Sequence, residues 1–166
     1  NGLTAEGHMS TARDMTTLGR RLFFDFPQYY NIFSRRSADA GMAQVASTNR
    51  RFLDSYEGAD GIKTGYTAPA GFNLTASAQR GNKRIIATVF GGKSTADRNA
   101  MHVRLADEAV ALAAAGARAY LDGDAIVGAA QASAPAQGPP RHAIVVCTPG
   151  AGGVPLPHRA ARRERG

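Results

Sequence analysis

From Phe72 to Gln79 apolar and polar residues alternate without a break. Phe72, Leu74, Ala76 and Ala78 fall on one side, Asn73, Thr75, Ser77 and Gln79 on the other. A period of two with one polar side predicts a half-buried antiparallel strand. Gly81-Asn82-Lys83 reads as a turn, and Arg84 to Phe90 as the more deeply buried return strand, closed by Gly91-Gly92. The pattern then lengthens to a helical one from about Ala96 to Ala115, with Ser94 or Thr95 as cap and Met101, Leu105, Ala109 and Leu112 facing inward. Toward the start of the chain, the Thr11 hydroxyl with Asp14 three residues later predicts a helix start. Met15, Leu18 and Leu22 share one face of that helix, away from Arg20 and Arg21. Asp25-Phe26-Pro27 ends it, and Pro27 suits the first turn of a short second helix through Tyr30 and Phe33. Ser34 to Gln44, small and polar, reads as a loop or short strand, and Asn49 to Leu53 as a lead into the next strand.

Composition divides the chain. At 166 residues and 43% apolar content it can build one cored domain. After Gly116, however, Ala, Gly, Pro and Arg take over, and only Ala143 to Val146 reads as a strand. The expected organisation is a folded part over 1–116 and a low-complexity basic tail over 117–166 that does not order. The net charge of +7 predicts attraction to anionic polymers, nucleic acid or phospholipid headgroups without choosing among them. Part of it is tail, where Arg159, Arg162, Arg163 and Arg165 crowd together. Cys147 is alone, so no internal disulfide forms. His8, His102, His142 and His158 show no metal-ligand spacing and read as scattered surface residues. No apolar run approaches the ~20 residues that a bilayer demands. Asn1 is preceded by neither an initiator Met nor a signal peptide, which suggests a fragment or a processed chain.

The chemistry concentrates at Lys63-Thr64-Gly65. Acyl transfer on a peptide that ends in a free carboxylate needs a fixed cation near that carboxylate. Lys63 offers a point charge with rotatable donors, and Thr64 a hydroxyl that can bond the same oxygens. Gly65 leaves room for a ligand backbone to pair along a strand edge. By itself Lys63 would read as an edge-blunting lysine. Its context decides otherwise: Gly61-Ile62-Lys63-Thr64-Gly65-Tyr66-Thr67 is followed by Gly71-Phe72-Asn73-Leu74, a hairpin and a helix. Upstream stand Gly2-Leu3, Ser10-Thr11-Ala12-Arg13-Asp14-Met15, Asp25-Phe26-Pro27-Gln28-Tyr29-Tyr30 and Thr48-Asn49-Arg50. Over roughly Asn1 to Leu112 this run resembles the serine-type D-alanyl-D-alanine carboxypeptidases, low-molecular-mass penicillin-binding proteins of peptidoglycan synthesis.

The resemblance implies an α/β fold of the β-lactamase/transpeptidase type, an antiparallel sheet flanked by helices and here incomplete. It implies that Lys63, Thr64 and Gly65 serve catalysis and substrate binding, that the backbone N–H of Tyr66 is an oxyanion-hole donor, and that Arg98 draws in the substrate carboxylate. Arg98 read without the resemblance is an exposed first-turn arginine. The implied partner is a peptidoglycan stem peptide or a β-lactam, in the periplasm or cell envelope, with neither metal nor organic cofactor. An anionic membrane surface remains open as a further contact, and oligomeric state is undetermined by sequence.

One expected feature is absent from these residues. Lysines occur at 63, 83 and 93, preceded three positions earlier by Asp60, Arg80 and Phe90, so there is no Ser-x-x-Lys and no nucleophile of that kind. Ser47-Thr48-Asn49 satisfies Ser-x-Asn formally, but stands too close to the Lys-Thr-Gly strand to serve as that signature and reads as a decoy. The expectation is a truncated, inactive carboxypeptidase that leaves an apolar sheet face uncovered. Two other classes compete. A non-catalytic binder of peptidoglycan or another anionic polymer would use the same cationic groove. A P-loop at Gly92-Lys93-Ser94 would need its first glycine at position 87, which is Ala87 inside a strand. Nucleic-acid binding has only the basic tail in its favour, without an aromatic platform.

Overall fold

The computed structural model describes residues 2–114 and 143–149. Helix α1 (Ala12–Asp25) starts as its capping pattern predicts: the Asp14 N–H donates to Thr11 Oγ1 at 3.1 Å, and the Thr11 hydroxyl donates back to the Asp14 carboxylate at 2.8 Å. Its inward face differs from the expected one. Ala12, Thr16 and Gly19 are buried, whereas Leu18 is 58% exposed and Met15 and Leu22 are half-buried. The cause is a close approach to the sheet. A Cβ on Gly19 would sit 3.0 Å from Ile62 Cδ1 and 3.2 Å from Thr75 Cγ2, leaving no room for a leucine at that level.

Pro27 opens the short α2 (Pro27–Tyr30), which runs into a single 3-10 turn over Asn31–Ser34. Tyr30, with Leu22, Phe23 and Phe33, packs on Ile62 and Ile86. Strands β1 (Ser37–Asp39) and β2 (Gln44–Ala46) form a small, fully exposed hairpin from the stretch read as loop or short strand. The lead over Asn49 to Leu53 is in fact helical: α3 (Arg50–Ser55) buries Phe52 and Leu53, and the Asn49 carbonyl accepts from both of their N–H groups.

The main sheet has the order β3-β4-β5-β6, antiparallel throughout, with β3 at Ala59–Thr67, β4 at Gly71–Arg80, β5 at Lys83–Gly92 and β6 at Ala143–Pro149. The β4–β5 connection is a two-residue turn, Gly81-Asn82, because Arg80 already pairs with Lys83. Gly81 has φ +57°, and among the described residues no non-glycine residue, Asn82 included, has positive φ, which fits a type II′ hairpin turn. The strand expected at Ala143 to Val146 is part of β6, whose residues pair with β5 from Lys83↔Pro149 to Val89↔Ala143. Helix α4 (Thr95–Ala114) is capped by Ser94, whose Oγ accepts from the Asp97 N–H at 3.1 Å. Residues 115–142 and 150–166, which hold most of the expected disordered tail, lie outside the described residues, as does the Leu112 side chain.

Both faces of the β4–β5 hairpin are interior at its centre, so the half-buried expectation for β4 gives way to burial on both sides from Leu74 to Ala78, with partly buried ends. On the apolar side Leu74, Ala76, Ala78, Ile85, Ala87 and Val89 pack against Phe52 and Tyr56 near α3 and Met101, Leu105, Ala106 and Ala109 of α4. The other side lies under α1 and α2, where Ile86 joins the small apolar cluster around Tyr30 and the remaining positions are held by hydroxyls and one ion pair. Thr16 donates to Thr88 at 2.8 Å, Thr75 and Thr88 stand 3.0 Å apart, and Tyr30 and Ser77 share a 2.7 Å hydrogen bond. Arg84 pairs with Asp60 at 2.7 Å and lies 3.9 Å over the Phe23 ring. Polar groups bury at tolerable cost only when paired in this way. The uncovered apolar sheet face therefore does not arise on β4 or β5. Large exposed apolar residues stand instead on the helical segment, at Leu18, Phe26, Tyr29 and Ile32.

His102 is a second correction. It is 1% exposed, not a surface residue, with Nε2 3.2 Å from the Ala87 carbonyl and its ring edge-on to Phe52 at 4.8 Å. It shares the inward stripe of α4 with Met101 and Leu105. Burial pushes its pKa down to about 4.

Candidate functional site

Strand β3 is an edge of the main sheet, paired on one side by β4 and open on the other among the described residues. Its register places Lys63 opposite Thr75, Thr64 opposite Leu74, Gly65 opposite Asn73 and Tyr66 opposite Phe72. The Lys-Thr-Gly segment thus lies flat beside its hairpin with an open flank.

Lys63 is exposed, and its ammonium donates to the Thr64 carbonyl at 2.6 Å. Among the described residues no carboxylate pairs with it; the acidic neighbour in sequence, Asp60, is taken by Arg84. Thr64 is only 8% exposed, and its hydroxyl stands 2.7 Å from Thr48 Oγ1. At Gly65 an added Cβ would meet nothing within 4 Å, so the strand is bare there and faces open space. Tyr66 is 60% exposed, its ring 4.4 Å from that of Phe72.

Arg98 is not an exposed first-turn arginine: it is 4% exposed. Its Nε and Nη2 donate to Asn99 Oδ1 at 3.1 and 3.0 Å, and Nη1 reaches the Asn73 carbonyl at 3.3 Å. Burial lowers its pKa from the usual arginine value. Since Asn73 is the cross-strand partner of Gly65, this guanidinium lies one strand behind the triplet. Asn73 itself fixes the corner: its amide donates to the Gly71 carbonyl at 3.2 Å, and its Oδ1 accepts from the Gly91 N–H at 2.9 Å.

Two residues near the triplet were not singled out from the pattern. Asn73 looked like one polar position of an alternating strand. Thr48 was passed over with Ser47 and Asn49, yet it touches Thr64. A signal for Thr48 existed in the run Thr48-Asn49-Arg50, but nothing in its spacing could say that it folds back on position 64. At Gly92-Lys93-Ser94 the Lys93 N–H already donates to Asp97 Oδ2 at 2.8 Å, a carboxylate standing where a phosphate would have to lie, and the Ser94 Oγ is used as the cap of α4. Among the described residues no cluster of three or more His, Cys, Asp or Glu could hold a metal, and no helix is long and apolar enough to cross a membrane.

Comparison with known proteins bears on the family and the fold. Residues 1–94 match the family of the D-alanyl-D-alanine carboxypeptidases. A shorter match, to the N-terminal domain of biotin carboxylase, covers residues 74–137 and overlaps the same hairpin. The D-alanyl-D-alanine carboxypeptidase DacC of Escherichia coli (strain K12) is 43% identical over 94 residues, which are 57% of this chain and 24% of that protein. The chain spans about a quarter of the length of the curated relatives it matches. Among solved structures, the carboxypeptidase DacD from Francisella tularensis superposes with a TM-score of 0.61 at 23% identity, covering 66% of this chain and 39% of that one. Penicillin-binding protein D2 from Listeria monocytogenes, in its ampicillin-bound form, superposes at 0.55 with 30% identity over 62% of this chain and 44% of that one. The fold is therefore of the transpeptidase type, represented in part.

Proposed function

Because the chain belongs to the D-alanyl-D-alanine carboxypeptidase family, we propose that the open edge of β3 holds the free C-terminal end of a peptidoglycan stem peptide. The observation that carries this reading is the triplet itself: an exposed ammonium that has no carboxylate partner among the described residues, a hydroxyl on the next residue, and a bare Gly65 on a strand edge that the described residues leave unpaired. Such an edge accepts an extended peptide by main-chain pairing, while the cation and hydroxyl select a terminal carboxylate. Arg98, one strand behind, adds positive potential, and the Tyr66 N–H serves as an oxyanion donor. A β-lactam, whose carboxylate mimics the peptide end, fits the same edge, in keeping with the ampicillin held by the Listeria neighbour.

In the family reaction a serine Oγ attacks the penultimate D-Ala carbonyl and gives its proton to a base. The C–N bond then breaks, D-Ala departs with its amine protonated, and water hydrolyses the ester. These 166 residues contain no Ser-x-x-Lys to perform the attack. Their own contribution is binding and charge stabilisation, in the cell envelope where the substrate lies.

Titration of the chain with diacetyl-L-Lys-D-Ala-D-Ala, followed by NMR shifts, tests this. Lys63→Ala is expected to weaken binding about tenfold, the value of one charge-assisted hydrogen bond. Equal binding of the C-terminal amide, or an unchanged Lys63→Ala variant, would sink the proposal. Released D-Ala, assayed in the same samples, is expected to stay at the no-protein background. Turnover would instead reveal a nucleophile outside the serine–lysine pattern.

A further inference from the structure

We propose that Thr48 is a positioning residue that makes the Thr64 hydroxyl a committed donor to the ligand carboxylate, an inference that rests on the binding reading above. The two Oγ1 atoms are 2.7 Å apart, so one hydroxyl proton lies between them and one is left over. When Thr48 donates, Thr64 accepts and its own proton is free for a third partner. When Thr64 donates, its proton is spent on Thr48. An anionic carboxylate beside Lys63 selects the first polarity, since only then does Thr64 present a hydrogen, and the chained bonds strengthen each other. A carboxamide, which can itself donate to Thr64, gains much less from that choice.

The placement of Thr48 is built, not incidental. Its neighbours are tied: the Ser47 N–H donates to the Arg36 carbonyl at 2.8 Å, the Asn49 N–H to Ser47 Oγ at 3.2 Å, and the Arg50 N–H to the Ser47 carbonyl at 3.1 Å. Asn49 is buried. Thr48 itself is exposed while Thr64 is not, so the 2.7 Å contact joins the buried Thr64 hydroxyl to a residue in contact with solvent.

The test titrates wild type, Thr48→Val, Thr48→Ser, Thr64→Val and the double valine variant with diacetyl-L-Lys-D-Ala-D-Ala and with its C-terminal amide. Thr48→Val is expected to weaken the acid about fivefold, as for one neutral hydrogen bond, with the amide nearly unaffected. Thr48→Ser restores the acid, and the double variant binds no worse than Thr64→Val alone. If Thr48→Val binds the acid as wild type does while Thr64→Val weakens it, the inference fails and the binding reading stands. Equal losses for acid and amide, or no rescue by serine, reduce Thr48 to a packing role and overturn the inference. If wild type binds neither ligand, or both alike, the binding reading fails and the inference goes with it.

Discussion

Two glycines separate what the site needs from what the fold needs. At Gly65 φ is not positive and an added Cβ meets nothing, so alanine there leaves the native conformation undisturbed. At Gly58 φ is +75° and a Cβ would lie 2.0 Å from the Gln79 carbonyl oxygen, so a side chain there forces the β3–β4 junction apart. Gly65→Ala is therefore expected to keep the thermal midpoint of the wild type, or to raise it slightly through a stiffer unfolded chain. It should weaken the stem-peptide analogue several-fold, because the methyl occupies the flank where a ligand backbone pairs. A melting curve and a peptide titration on the same variant check both halves. A lower midpoint with unaltered affinity would mean that Gly65 is there for folding.

Among the elements, α4 couples the sheet to pH. His102 is buried against Phe52 and the Ala87 carbonyl, with Arg98 a turn earlier adding repulsion, and its native pKa falls to about 4. The unfolded chain, with an ordinary histidine near 6.5, then binds more protons than the native one between those values, so stability rises with pH through this window. The contribution is complete above about pH 6.5, is lost as pH falls toward 4, and amounts to about 3 kcal/mol. Urea unfolding at pH 4.5 and 7 should show most of that difference in the wild type, about 2 kcal/mol, and much less of it in His102→Gln. Equal slopes in the two proteins would place the proton elsewhere. Nothing in the pattern announced this residue. It stands directly after Met101, which the helical period marks as inward, and a wide inward stripe takes in both. The caps were legible because they are local chemistry: Thr11 with Asp14 is decided within three residues, and at α4 the choice lay between Ser94 and Thr95, of which the structure uses Ser94. The hairpin strands β4 and β5 were legible for the same reason, and so was their turn, read as Gly81-Asn82-Lys83 and one residue shorter in the structure. The inward face of α1 was not, because it depends on how close the sheet lies: Gly19 and Thr16 are chosen by proximity, and Leu18 is left in solvent. The helix Arg50–Ser55 was missed because six residues give too little periodicity to tell a turn of helix from a lead-in.

For the whole molecule, the strand that carries the triplet was legible and its surroundings only partly so. Spacing and context single out Lys63, Thr64 and Gly65 as site candidates, whereas the burial of Arg98 behind Asn73 and the reach of Thr48 come from long-range pairing that no local pattern encodes. The sheet that supports them is layered unevenly. One side of β4 and β5 is hydrocarbon under α3 and α4, the other a hydroxyl and ion-pair seam under α1, and β4 has a strand on each flank. Main-chain amides of β4 consequently have no route to deuterium short of opening the domain as a unit, so their exchange should report global unfolding. The β1–β2 hairpin, solvated along its full length, should label orders of magnitude sooner at the same pH and temperature. Comparable labelling rates in the two segments would mean that the seam under α1 breathes on its own.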